Sequence, residues 1–100
     1  MHLIYYNIQK IVALCRRYKV NKLYVFGSVL TNKFNDTSDI DFLFKFSPEI
    51  DYNNYSDHYF DLWDALKELF GREVDLVDEK TLKNPVFIKE LEATKQLIYG

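Results

Sequence analysis

Apolar positions in this chain switch between a helical period and a strand period, and each switch marks an element. Ile4, Ile8, Ile11, Val12 and Cys15 recur at helical spacing without Pro or Gly, which predicts a helix over residues 4–18 ending near Tyr18-Lys19. Lys22–Phe26 (KLYVF) is short and rich in β-formers, so it reads as a strand that Gly27-Ser28 ends. Residues 29–33 then fit a short helix with its N-terminus at Gly27-Ser28, and Asn35-Asp36-Thr37-Ser38 is turn chemistry. A second strand is predicted from Asp39 to Phe46, stopped by Ser47-Pro48, with a loop over 47–55. Ser56 fits an N-cap with Asp57 in the first turn, and Phe60, Trp63, Leu66, Leu69 and Phe70 carry that helix to a stop at Gly71. Glu73–Val77 reads as a third strand. Asn84-Pro85 reads as a cap and first residue of a last helix lined by Val86, Phe87, Ile88 and Leu91. For Gln96–Tyr99 the pattern fits a short strand and a helical tail equally.

Strands alternating with helices predict a layered α/β (α+β) fold, a small mixed sheet flanked by helices. At 100 residues, 1–100 form one domain, without internal repeat or linker. An apolar share of 48% with 17% aromatics supports a packed core and argues against disorder. The net charge of −2, with both signs mixed along the chain, argues against direct binding to nucleic acid by charge alone. Arg16, Arg17, Lys19 and Lys22 form the basic cluster, at a helix C-terminus where cations are favoured. Cys15 is the one cysteine and lies on an apolar stripe, which excludes an internal disulfide and marks a core residue. No apolar stretch approaches membrane-spanning length, and no leader-like segment is apparent, so the expected location is cytoplasmic. His2 and His58 have no ligand-like spacing.

The chemistry concentrates in residues 24–46. On a strand, Asp39 and Asp41 point to one face about 6.6 Å apart along the axis, while Ile40, Phe42, Phe44 and Phe46 point into a core. Two carboxylates beside a low-dielectric core repel unless cations lie between them. Hard oxygen donors without His or Cys suit Mg²⁺, with Mn²⁺ as an alternative. Gly27-Ser28 offers a phosphate close approach to the backbone, N–H donors of a helix N-terminus and a hydroxyl. Asp75 sits inside the apolar run Val74-Asp75-Leu76-Val77, and would complete a three-carboxylate group if its strand lies beside the second one. Each feature also has an ordinary explanation: a solvated strand end for Asp-x-Asp, a turn for Gly-Ser, a strand-edge charge for Asp75.

Together they form Gly-Ser, ten intervening residues, Asp-x-Asp, then a later strand Asp in "REVDLVD". This resembles the signature of the minimal nucleotidyltransferase family, within the superfamily that shares the DNA polymerase β catalytic core. The resemblance spans nearly the whole chain. It implies that Gly27 and Ser28 hold the β- and γ-phosphates of ATP, that Asp39 and Asp41 bind two Mg²⁺ ions, and that Asp75 binds the catalytic ion and helps activate the attacking hydroxyl. Many relatives continue as Gly-Ser-x-Ala-Arg-Gly. This chain has Leu30, Thr31 and Asn32 there, so the Arg is absent.

Such proteins are often antitoxins of HEPN/MNT toxin–antitoxin pairs. The resemblance therefore implies a HEPN ribonuclease toxin as partner and AMP transfer from ATP to a toxin tyrosine as the reaction. Two other readings remain: transfer to a small molecule, which normally needs a larger C-terminal domain, and a non-catalytic antitoxin acting by binding alone. For the latter, the aromatic segment with Tyr52, Tyr55, Tyr59, Phe60 and Trp63 is a candidate interface.

Overall fold

The structure is a computed structural model describing residues 1–100. Helices α1 (His2–Tyr6) and α2 (Ile8–Arg17) replace the single expected helix. The break is at Asn7, whose side chain donates to the Leu3 carbonyl at 2.9 Å while its own N–H takes the Ile4 carbonyl at 3.1 Å. A side chain competing for backbone partners in this way tightens one turn without ending the helical run. The chain leaves α2 at Tyr18, and Lys19 (φ 59°) reverses it directly into β1 (Val20–Phe26).

A 3₁₀ turn, Gly27–Leu30, follows β1 in place of the expected helix over 29–33. Then come β2 (Ile40–Phe46), a 3₁₀ turn at Tyr52–Asn54, α3 (Tyr55–Phe70), β3 (Val74–Asp78), α4 (Pro85–Thr94) and β4 (Gln96–Tyr99). The expected loop over 47–55 thus holds a turn and buries Ile50. Ser56 lies inside α3 rather than capping it; Asp51 instead caps the preceding turn by accepting from the Asn53 N–H at 3.0 Å. Gly71 ends α3 in the left-handed conformation, φ 62°, as its position predicts. Asn84 caps α4 as expected, accepting from the N–H groups of Val86 and Phe87.

The sheet runs β3-β2-β1-β4, with β1 antiparallel to β2 and β4, and β2 parallel to β3. It is a mixed sheet flanked by helices. One face carries the main core: Ile40, Phe42, Phe44 and Phe46 of β2 pack with Ile11 and Cys15 of α2 and Leu62 and Leu66 of α3. Truncating a buried Phe of this kind costs roughly 3–5 kcal/mol. On the opposite face Phe26, Leu43 and Leu91 form a smaller cluster under α4. The helix faces differ in part from the sequence pattern. Leu62 is core whereas Phe60 is exposed, and of the expected lining of α4 only Leu91 is buried. Gln96–Tyr99 is a strand because it pairs with β1, placing Leu97 opposite Tyr24. No helix is long and apolar enough to cross a membrane.

Burial pushes the Cys15 thiol up to about 12, from 9.0 when exposed. The native state therefore holds a proton that the unfolded chain releases. The thiol's contribution to stability is complete below the unfolded value and is lost as pH rises through the folded one. We expect the urea midpoint of the wild type to fall more than that of Cys15→Ala between about pH 8 and about pH 11. Equal falls in the two proteins would place the thiol in contact with water.

Candidate active site

Alternation along β2 sets the site. Because Ile40, Phe42 and Phe44 are buried against α2 and α3, Asp41 faces the opposite side, at the end that α4 leaves open. Parallel pairing of β2 with β3 puts Asp41 and Asp75 in register as direct neighbours. Asp39 precedes the strand by one residue, since regular pairing begins where the Ile40 N–H meets the Glu73 carbonyl at 3.2 Å. The structure thus brings Asp39, Asp41 and Asp75 to one end of one sheet face. Asp39 and Asp75 are exposed and Asp41 is half-buried.

Burial, then the charge of Asp75, then that of Asp39 hold the Asp41 carboxyl above its usual range. No three His, Cys, Asp or Glu side chains, Asp39, Asp41 and Asp75 included, lie close enough together as placed to hold a metal ion. Their donor set, all oxygen with no imidazole or thiolate, fits a hard divalent cation.

Gly27 closes the site from the turn just after β1, next to Phe26, which is the ladder partner of Asp41. Its φ is +74°, and a Cβ there would overlap the Asp41 carboxylate oxygen and stand 3.3 Å from its Cγ. Only glycine fits this position. The turn that follows is too short to supply a helix dipole, which corrects the expectation of a helix N-terminus. Thr31 explains why: its hydroxyl donates to the Ser28 carbonyl at 2.9 Å, its N–H takes the same carbonyl at 2.9 Å, and it receives the Lys33 N–H at 3.2 Å. Thr31 is therefore used to close the turn. Gly27, Leu30, Thr31 and Thr94 of α4 line an open hollow of about 480 Å³ beside the carboxylates.

Several supporting residues were not legible from sequence patterns. Arg72 donates to the carbonyls of Asn35 and Ser38 at 2.9 and 3.0 Å, and its guanidinium lies 4.8 Å from the Phe34 ring centre, so it ties down the loop leading into Asp39. Asp78 is buried and accepts from the Tyr55 hydroxyl and, at 2.9 Å, the Lys80 N–H. Tyr59 and Trp63 donate to the carbonyls of Leu76 and Val74 at 2.6 and 2.8 Å. Burial, then the charges of Asp75 and Asp78, push the Tyr59 hydroxyl up. Aromatic content at helical spacing was the visible signal, but not which carbonyls it would meet.

The sequence profile of the family described as "Polymerase beta, Nucleotidyltransferase" matches residues 9–100. The chain belongs to this family. The nucleotidyltransferase domain is 40% identical over 83 residues to "Putative protein adenylyltransferase MJ0128" of Methanocaldococcus jannaschii, a match covering 83% of this chain and 79% of that protein. It superposes on a minimal nucleotidyltransferase structure with a TM-score of 0.75 at 26% identity, covering 93% of this chain and 90% of the other. A toxin–antitoxin crystal structure with AMP-PNP gives 0.71 at 25% identity, covering 94% and 73%. An MNT antitoxin in complex with the tri-AMPylated HEPN toxin of Shewanella oneidensis shares the fold, with a TM-score of 0.65 at 23% identity and coverage of 96% and 71%. The domain is a nucleotidyltransferase with the polymerase β-like fold.

Gly27→Ala tests the contact that closes the site. The strained φ and the overlap with Asp41 should cost about 1–3 kcal/mol in urea unfolding. Part of that loss should return in the Gly27→Ala/Asp41→Ala double variant, because the clashing carboxylate is gone. Strictly additive losses would mean that the glycine is needed for its backbone angle alone.

Proposed function

We propose that this domain transfers AMP from ATP to a tyrosine hydroxyl of a HEPN-type toxin and acts as the antitoxin of that pair. The observation that carries this reading is the in-register placement of Asp41 and Asp75, with Gly27 pressed against the Asp41 carboxylate. The printed names of the relatives support AMP transfer to protein, and those of the structural neighbours support a toxin partner.

Gly27 and Ser28 receive the β- and γ-phosphates: the glycine by lacking a Cβ, the serine through its hydroxyl. Asp39, Asp41 and Asp75 would hold two Mg²⁺ ions, with Mn²⁺ as a substitute. Those ions, when bound, neutralise charge on the attacking and leaving oxygens. Asp75, exposed on its strand, takes the proton of the acceptor hydroxyl as that oxygen attacks the α-phosphorus. The bond to the β-phosphate oxygen breaks and pyrophosphate leaves. Arg72 keeps Asp39 in range by fixing the loop before it.

A second reading is favoured by Thr31. With its hydroxyl committed to the Ser28 carbonyl and no Arg at that position, one cationic phosphate contact is missing. A non-catalytic antitoxin that neutralises its toxin by binding alone is consistent with that loss.

Incubation with α-labelled ATP, Mg²⁺ and a co-encoded HEPN protein separates the two. Label should appear on the partner with wild type and not with Asp39→Ala/Asp41→Ala. Asp75→Asn should lower the transfer rate by about 10²–10⁴-fold, the usual share of a positioned base. A stable complex that carries no label would sink the catalytic reading and leave binding alone.

A further inference from the structure

The free edge of β3 carries a groove that the phosphate and carboxylate site does not use. It measures about 400 Å³ and is lined by Tyr55, Tyr59, Phe60, Leu76, Val77 and Thr81 among others. Phe60 is 52% exposed although it is a large apolar side chain in the middle of a helix. The groove runs along the strand that carries Asp75, and Val77 reaches it from the same sheet face as Asp75.

A sheet edge usually invites another strand, but this one is partly closed to strand addition. The carbonyls of Val74, Leu76 and Asp78 already accept from Trp63, Tyr59 and Thr81 at 2.8, 2.6 and 2.8 Å. Side-chain volume also remains open there, and a visitor inserts a side chain into it.

The outer face of α3 states the charge of that visitor. Asp57, Asp61, Asp64 and Glu68 follow one another at helical spacing and are all exposed. None of them forms an ion pair; the two salt bridges of the chain join Lys67 to Glu73 and Lys95 to Glu92. At 3.6 residues per turn, Asp57 and Asp64 lie within roughly 60° of Phe60 around the helix, on the side away from Tyr59. An apolar slot thus borders an unpaired acidic stripe. Such a stripe repels nucleic acid and favours a basic peptide surface.

We propose that this groove docks the acceptor protein: an apolar or aromatic side chain of a basic segment enters beside Phe60, and its flanking Arg or Lys residues meet Asp57 and Asp64. Docking there brings an acceptor hydroxyl to the β3 edge next to Asp75. The inference rests on the AMP-transfer reading for its purpose, but its test does not.

Two synthetic peptides of equal length serve as probes, one with tyrosine among arginines and lysines, the other with tyrosine among glutamates. They are titrated without nucleotide into the ¹⁵N-labelled protein. The basic peptide should shift the amides of residues 56–64 and 76–81, and the acidic one should not. Asp57→Lys/Asp64→Lys should weaken the basic peptide by roughly tenfold or more. Phe60→Ala should weaken it too, and MgATP shifts at residues 27–31 should stay unchanged in both variants. Equal response to both peptides, no response, or shifts elsewhere would overturn the docking site. So would a dimer that the charge-reversal variant dissolves, because the stripe would then serve a second copy. Since no nucleotide is present, failure of AMP transfer leaves this result standing, and failure of docking leaves the transfer assay standing.

Discussion

The parallel pairing of β2 with β3 is the constraint on which the site depends. It sets Asp41 directly beside Asp75, although like charges on neighbouring strands cost a few tenths to about 1 kcal/mol. The arrangement holds because the other face of β2 offers no alternative. Ile40, Phe42, Phe44 and Phe46 are all buried, and a slip of one residue would send them into water and the carboxylates into the core. The hydrophobic energy of that face is far larger than the repulsion on this one. The charged end of the sheet is therefore held by a core that has no chemistry of its own.

Supporting contacts extend the same logic outward. β3 is an edge strand, yet its position is secured from α3, whose Tyr59 and Trp63 reach over to its outer carbonyls while their rings fill the space between helix and sheet. Arg72, two residues before β3, pins the loop that delivers Asp39, so the segment leading into one carboxylate's strand also steadies the approach of another. Gly27 completes the enclosure from the turn just after β1, and its missing Cβ is the space that the Asp41 carboxylate occupies. Three strands that are distant in sequence thus meet at one end of one face.

The departure from family pattern at Thr31 has a local structural use. This chain closes a 3₁₀ turn there through two bonds to the Ser28 carbonyl, one from the Thr31 hydroxyl and one from its N–H. The turn remains ordered without Arg, but the positive charge is absent. Lys33, exposed just beyond the turn, makes no ion pair with the protein.

Much of this was readable from residues alone. The strict alternation of Ile40, Phe42, Phe44 and Phe46 against Asp39 and Asp41 defines a two-faced strand, because side chains on a strand have no other geometry. Gly71 and Asn84-Pro85 marked helix ends through local backbone chemistry that acts over a few residues. The spacing from Gly-Ser to Asp-x-Asp identified the family. Other features depended on partners far along the chain. Gln96–Tyr99 becomes a strand only because β1 offers it an edge, and Phe60 is exposed only because Leu62 takes the inward position under the sheet. The turn after Gly27, the loop-pinning role of Arg72 and the burial of Asp78 beneath Tyr55 likewise follow from packing. Period, caps and motif are short-range properties that the sequence alone determined. Register, edge protection and the meeting of Asp41 with Asp75 belong to the tertiary structure, because each needs two segments whose contact no local rule specifies.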